Sequence, residues 1–134
     1  MAHETTRVTL ALENINAYYG ESHILRNVSF TIEPGEVVCL MGRNGMGKTT
    51  TLKTLTGLLP ARSGTITFEG RDITQDRTDL RAKRGLAYVP QGREIIPHLT
   101  VHQNLLLGYW NRPSLTGDVS EHDAFEEVYH LFPK

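Results

Sequence analysis

Eight consecutive residues constrain this chain more than any others. Gly42-Arg43-Asn44-Gly45-Met46-Gly47-Lys48-Thr49 matches the pattern G-x-x-x-x-G-K-[ST]. The apolar run Val37-Val38-Cys39-Leu40-Met41 precedes it without alternation, which predicts a strand covered on both faces, as in a parallel sheet. Leu52, Leu55 and Leu58/Leu59 follow at helical spacing until Pro60, which predicts a helix from Lys48 onward. Lacking Cβ atoms, the glycines can take positive φ, so that backbone N–H groups converge on phosphate oxygens. The helix aims its positive end at the same place. In such a loop Lys48 bridges the β- and γ-phosphates of a nucleotide, the Thr49 hydroxyl ligates Mg²⁺, and Thr50 donates near the α-phosphate. The glycine spacing, G-x-x-G-x-G, argues against the G-x-G-x-x-G of a dinucleotide fold.

Charge distribution agrees with an anionic ligand. The net charge of the 134 residues is −1, yet residues 40–93 carry ten basic and four acidic side chains between two acidic flanks. No apolar run approaches the ~18 residues of a membrane-spanning helix. The opening MAHETTRV lacks a secretory apolar region, so a cytosolic location is expected. The single cysteine, Cys39, forms no internal disulfide and is expected to be a small buried hydrophobe.

Around the loop, Val8/Leu10/Leu12 and Val28/Phe30/Ile32 alternate with polar residues and predict half-buried strands, joined through a turn at residues 17–22. Pro34-Gly35 predicts a tight turn. Thr65–Glu69 reads as a strand closed by Gly70, residues 78–84 as a short polar helix, and Leu86–Val89 as a strand ended by Pro90. The last third reads as helical: Thr100/Gln103 and Ser120/Asp123 predict capping boxes. A loop is expected between them over residues 111–118, and Phe125, Val128 and Leu131/Phe132 should share one face. His98 and His102 flank the cap at Thr100, while His122 and His130 are eight apart, so solvent-exposed histidines are expected rather than a metal site.

An aromatic ahead of a glycine, then the phosphate loop, then a glutamine after a strand resembles the ATP-binding subunits of ABC transporters. The residues that carry this are Tyr18-Tyr19-Gly20, Met41–Thr50, Thr56-Gly57-Leu58-Leu59, Ser63-Gly64, Tyr88-Val89-Pro90-Gln91-Gly92-Arg93 and Leu99-Thr100-Val101 with Asn104-Leu105. The resemblance runs from about Leu10 to Phe132. It implies an α/β, P-loop NTPase fold of ABC type: an antiparallel β subdomain, a parallel-sheet core with the P-loop, and the start of a helical subdomain. Residues 1–93 would be the ATP-binding core through the Q-loop, and 94–134 the start of the helical subdomain. Gly42, Asn44, Gly45, Gly47, Lys48, Thr49 and Thr50 would contact nucleotide, and Lys48 and Gln91 would act in catalysis. Thr49 and Gln91 would face Mg²⁺, with Gln91 also touching the attacking water and sensing the transmembrane partner. Tyr19 would stack on adenine, a contact worth ~1–3 kcal/mol in nucleic-acid analogues. Tyr18 is the alternative, because only one of two adjacent strand side chains can face the nucleotide.

Gln91-Gly92-Arg93-Glu94 and Tyr18-Tyr19-Gly20 are similar to importers of branched-chain amino acids and, more closely, of urea or short amides. The implied partners are transmembrane permease subunits, a second ATP-binding subunit and, indirectly, a periplasmic solute-binding protein. The subunit would then sit on the inner face of the membrane. Two family features are missing from these 134 residues: no apolar strand closing on Asp-Glu follows Gln91, and no LSGGQ-type loop is present. The chain is therefore expected to be the N-terminal part of a longer protein that binds Mg-nucleotide without turnover. In isolation it is expected to be poorly soluble or partly disordered. The rival class is a non-catalytic nucleotide- or nucleic-acid-binding module using Arg71, Arg77, Arg81, Lys83 and Arg84 on polymer phosphates. The pI near 6.6 and the lack of interleaved aromatics argue against nucleic acid.

Overall fold

The computed structural model describes residues 8–92, 94–110 and 120–133. The chain divides into two units, Met1–Arg81 and Ala82–Lys134.

The first unit is built on a four-stranded antiparallel sheet. Its strands are β1 (Leu10–Tyr19), β2 (Ser22–Ile32), β3 (Ser63–Phe68) and β4 (Arg71–Asp72), in the order β2-β1-β3-β4. Helix α1 (Lys48–Thr56) packs against it. Strand β1 runs well past the predicted Glu13, and a bulge explains how. Leu10 and Leu12 face the core, but so do Ile15 and Ala17, which are out of phase with them. Asn14, at φ 52, supplies the extra residue, and the register slips by one there against both β2 and β3. Gly20 and Glu21 then close a two-residue hairpin, with Tyr19 paired to Ser22.

The core comprises Leu10, Leu12, Ile15, Ala17, Leu25, Ile66 and Ile73 from the sheet side and Leu55 from α1. Helix α1 has five threonines in nine residues, a poor helix composition. Their hydroxyls are absorbed locally: Thr51 donates to the Gly47 carbonyl, Thr54 to Thr50, and Thr56 to Leu52. Packing of Leu55 rather than propensity therefore holds this helix. It stops at Thr56, earlier than Pro60 predicts, because Gly57 takes a left-handed cap at φ 80 and donates to the Thr54 carbonyl.

Helix α2 (Thr78–Lys83) crosses from the first unit into the second. The second unit contains α3 (Val101–Trp110) and α4 (Glu121–Leu131). The Thr100/Gln103 capping box forms in full, whereas at Ser120/Asp123 the cap bond forms and the Asp123 carboxylate accepts from the Ser120 hydroxyl. The Thr100 N–H donates to Gln103 Oε1 and the Gln103 N–H to Thr100 Oγ1, while Ser120 Oγ accepts from the Asp123 N–H at 3.1 Å. Phe125 is buried against the rings of His102, Tyr109 and Tyr129, but Leu131 and Phe132 on its predicted face are exposed. The loop expected over residues 111–118 lies outside the described residues.

Two sequence expectations need correction. Residues 37–41 and 86–89 are not strands: neither has a ladder partner among the described residues. Val37 is 96 % exposed, Met41 84 % and Val89 89 %. Cys39 is likewise exposed, not buried. The physical reason is that a parallel strand exists only through its neighbours, and here no strand hydrogen-bonds to either segment. The run Val37–Met41 is apolar enough for a covered strand but stands uncovered.

Candidate phosphate-binding site

The loop between residue 41 and α1 is shaped by two left-handed glycines, Gly45 at φ 81 and Gly47 at φ 96, with the Met46 N–H donating to the Arg43 carbonyl. Gly47 is the N-cap of α1. A Cβ there would lie 2.9 Å from Leu25 Cδ2 and 3.6 Å from Ile24 Cγ2, so both conformation and space require glycine. No side chain caps this helix end, and its first turn carries no acid. The positive end of the helix is thus left to an outside anion.

Lys48 Nζ donates to the carbonyl oxygens of Gly42 at 2.6 Å and Arg43 at 2.8 Å. These two bonds tie the ammonium to the loop's own backbone. Gly42, Arg43, Asn44, Gly45 and Thr49 are exposed on the same stretch, whereas Thr50 is buried. Gly42, Asn44, Gly45, Gly47, Lys48, Thr49 and Thr50 thus lie along one loop and the first turn of α1, tied together by the Lys48 bonds. The exposed Thr49 hydroxyl is a hard oxygen donor, suited to Mg²⁺ beside phosphate oxygens.

Of the two tyrosines, Tyr18 is already engaged. Its ring stacks on His23 with centroids 4.2 Å apart and planes 7° from parallel, and the Arg62 guanidinium lies 4.8 Å from its centroid. Tyr19, at the end of β1, is 47 % exposed. Gln91 belongs to the second unit, in the bend after residues 86–90, and is exposed.

Arg81 departs from its expected role as a surface contact for a polymer. It is 3 % exposed, and its guanidinium donates to the carbonyls of Asp76, Thr54, Leu55 and Thr74. Thr54 and Leu55 offer orphan carbonyls at the C-terminal end of α1, so Arg81 completes that helix end. Burial lowers its pKa below the ordinary arginine value, partly offset by Asp76. Arg77 is paired with Asp79 at 3.1 Å. Charge counting had no signal for Arg81, since its four acceptors come from separate segments. The Asn16–His23–Tyr18 cluster was equally invisible, because it depends on bulged register. Among the histidines, His98, His102, His122 and His130 are all exposed, and His102 Nε2 lies 3.3 Å from Glu121.

Residues 25–133 match the family described as ABC transporter. The branched-chain amino acid transport ATP-binding protein BraG of Pseudomonas aeruginosa is 34 % identical over 129 residues, covering 93 % of this chain and 52 % of that protein. The lipopolysaccharide export ATP-binding protein LptB of Escherichia coli is 35 % identical over 125 residues, covering 92 % and 52 %. The ribose import ATP-binding protein RbsA of Oceanobacillus iheyensis is 38 % identical over 99 residues, covering 74 % and 20 %. Among solved structures, an ATP-binding cassette of an ABC transporter in its ADP conformation has a TM-score of 0.68 and 32 % identity over 89 % of this chain and 45 % of that one. A nucleotide-free cassette has a TM-score of 0.66 at 27 % identity, over 92 % and 54 %. The chain thus spans about half the length of these relatives, or less.

Proposed function

This chain belongs to the ABC transporter family and has the P-loop ATPase fold of its ATP-binding domains, with the antiparallel sheet of the N-terminal part; on that premise we propose that it is the nucleotide-binding part of an importer's ATP-binding subunit. Gly42–Thr50 wraps the triphosphate, with backbone N–H groups and the α1 N-terminus facing the phosphates. Lys48 exchanges its two loop carbonyls for β- and γ-phosphate oxygens, and Thr49 would hold Mg²⁺, which would supply charge neutralisation at the phosphates. Thr50 adds a bond near the α-phosphate. Tyr19 supplies the adenine platform, because Tyr18 is committed to His23 and Arg62. Gln91 would be the glutamine that faces Mg²⁺ and the attacking water in the whole subunit.

Two such subunits close around ATP and move transmembrane permease subunits, with a periplasmic solute-binding protein delivering the solute. The location is the cytoplasmic face of the membrane. No helix among the described residues is long and apolar enough to cross one. The solute we assign is a branched-chain amino acid, urea or a short amide. The Gln91–Glu94 and Tyr18–Gly20 residues support this, and a relative named for branched-chain amino acids is among those matched. The observation that carries the nucleotide reading is the Lys48 ammonium held on two loop carbonyls beside an uncapped helix N-terminus. Titration calorimetry with Mg-ATP tests it: the 134-residue chain binds without releasing phosphate, and Lys48→Ala loses the heat. Absence of heat from the folded parent chain overturns it.

A further inference from the structure

Among the register shifts of strand β2, one lies next to both Tyr18 and the residues that border Gly47. Ala17 pairs with Leu25, but Tyr18 pairs with His23, so β2 carries one extra residue there, Ile24. In uninterrupted register Tyr18 would face Ile24 and His23 would face Tyr19. The bulge instead brings the His23 ring flat onto Tyr18. His23 is itself pinned. The Asn16 amide nitrogen donates to the Asn14 carbonyl and lies 2.9 Å from Asn27 Oδ1, which fixes the amide's orientation. Its Oδ1 accepts from the Asn27 N–H and sits 2.9 Å from His23 Nε2, which is therefore the donor. The next two residues along β2 border Gly47: a Cβ there would clash with Leu25 Cδ2 at 2.9 Å and stand in ordinary contact with Ile24 Cγ2 at 3.6 Å.

We propose that His23-Ile24-Leu25 is a positioning element linking base to phosphate recognition: His23 holds Tyr18 aside and leaves Tyr19 as the base-facing ring, while Ile24 and Leu25 seat Gly47. The inference rests on the adenine role given above to Tyr19. Three consecutive residues thereby set where the base platform stands relative to the phosphate loop, without touching nucleotide. Adenine recognition then depends on a ring stack two residues away from the loop contact.

The experiment compares dissociation constants of the full chain for Mg-ATP and for Mg-tripolyphosphate, which has the phosphates but no base. His23→Ala is expected to weaken Mg-ATP about three- to tenfold, the range for a lost ring pair, and to leave tripolyphosphate within about twofold. His23→Phe, which keeps the stack, restores ATP binding. His23→Gln retains a donor for Asn16 without the ring, behaves like His23→Ala, and serves where the alanine variant fails to fold. Equal weakening of both ligands, or of neither, overturns the proposal. Tyr19→Ala separates the two readings. An unchanged ratio between the ligands with Tyr19→Ala refutes the adenine platform itself. A changed ratio with Tyr19→Ala beside an unchanged one in the His23 variants refutes only the positioning role.

Discussion

Lys48 Nζ and the carbonyl oxygen of Gly42 are 2.6 Å apart, so the side chain of the last loop lysine reaches back six residues and closes the loop on itself. With Arg43 as second acceptor, the ammonium keeps two of its three donors on backbone. Binding of a phosphate chain is therefore an exchange of partners, not the ordering of a free side chain, and little rotamer entropy remains to be lost.

Removing that ammonium tests both roles together. Charge-assisted hydrogen bonds contribute about 1.5–3 kcal/mol each, so Lys48→Ala is expected to lower Mg-ATP affinity at least about tenfold by calorimetry. Lys48→Arg keeps the charge but not the compact geometry, and is expected to recover little of the binding. The melting temperature of either variant should move far less than the affinity, because the bonded carbonyls are accessible to water.

Gly47 and Gly45 make a matched pair. Both are left-handed, but a Cβ at 47 meets Leu25 Cδ2 at 2.9 Å, whereas one at 45 meets nothing within 4 Å. Gly45→Ala is expected to cost only backbone strain, about 1–2 kcal/mol. Gly47→Ala adds a clash with a core residue and should cost more in chemical denaturation, along with most nucleotide binding. Equal costs for the two would mean that the Leu25 contact relaxes freely.

The parts legible from sequence were those whose signal is local. The glycine-rich turn before α1, the Thr100 capping box, the Ser120 cap and the Pro34-Gly35 turn each depend on a few adjacent residues, and each formed as expected. The β1 bulge was also written in the residues, as a change of phase between Leu12 and Ile15. It became readable only with Asn14 at positive φ. Residues 37–41 were misread because an apolar run reports a preference for burial, not the presence of a strand beside it. Arg81 was misread for the complementary reason. An arginine looks like surface until four carbonyls from separate segments converge on it.

That convergence makes Arg81 the most demanding polar residue of the first unit. Its planar fork reaches Thr54 and Leu55 at the end of α1, and Thr74 and Asp76 in the segment ahead of α2. Arg81→Leu leaves buried carbonyls without donors and should destabilise the chain by about 2–4 kcal/mol in urea unfolding. Arg81→Lys cannot span the four acceptors and is expected to recover less than half of that. Full stability in the lysine variant would show that charge alone, and not the fork, holds the helix end.

Asp72 gives a prediction in pH. The Thr74 hydroxyl, followed by the Thr74 N–H at 2.8 Å from Asp72 Oδ1, holds this carboxyl below its ordinary value of 3.8. Because the folded value is depressed, the ionised form favours the folded chain. The resulting stability is fully present above the unfolded carboxylate range and is lost as pH falls through the lowered folded value. Asp72→Asn should therefore lower stability at pH 7 and approach the parent as pH falls below about 4, so that its own loss with acid is flatter. Thr74→Val removes the larger cause and should return the Asp72 titration, followed by NMR, toward its ordinary midpoint. Thr74 Oγ1 also accepts from the Ile66 N–H at 2.8 Å, so the valine variant should in addition loosen the β3–β4 turn. Amide exchange at Ile66 reads that second effect separately: faster exchange in Thr74→Val but not in Asp72→Asn assigns it to the threonine hydroxyl.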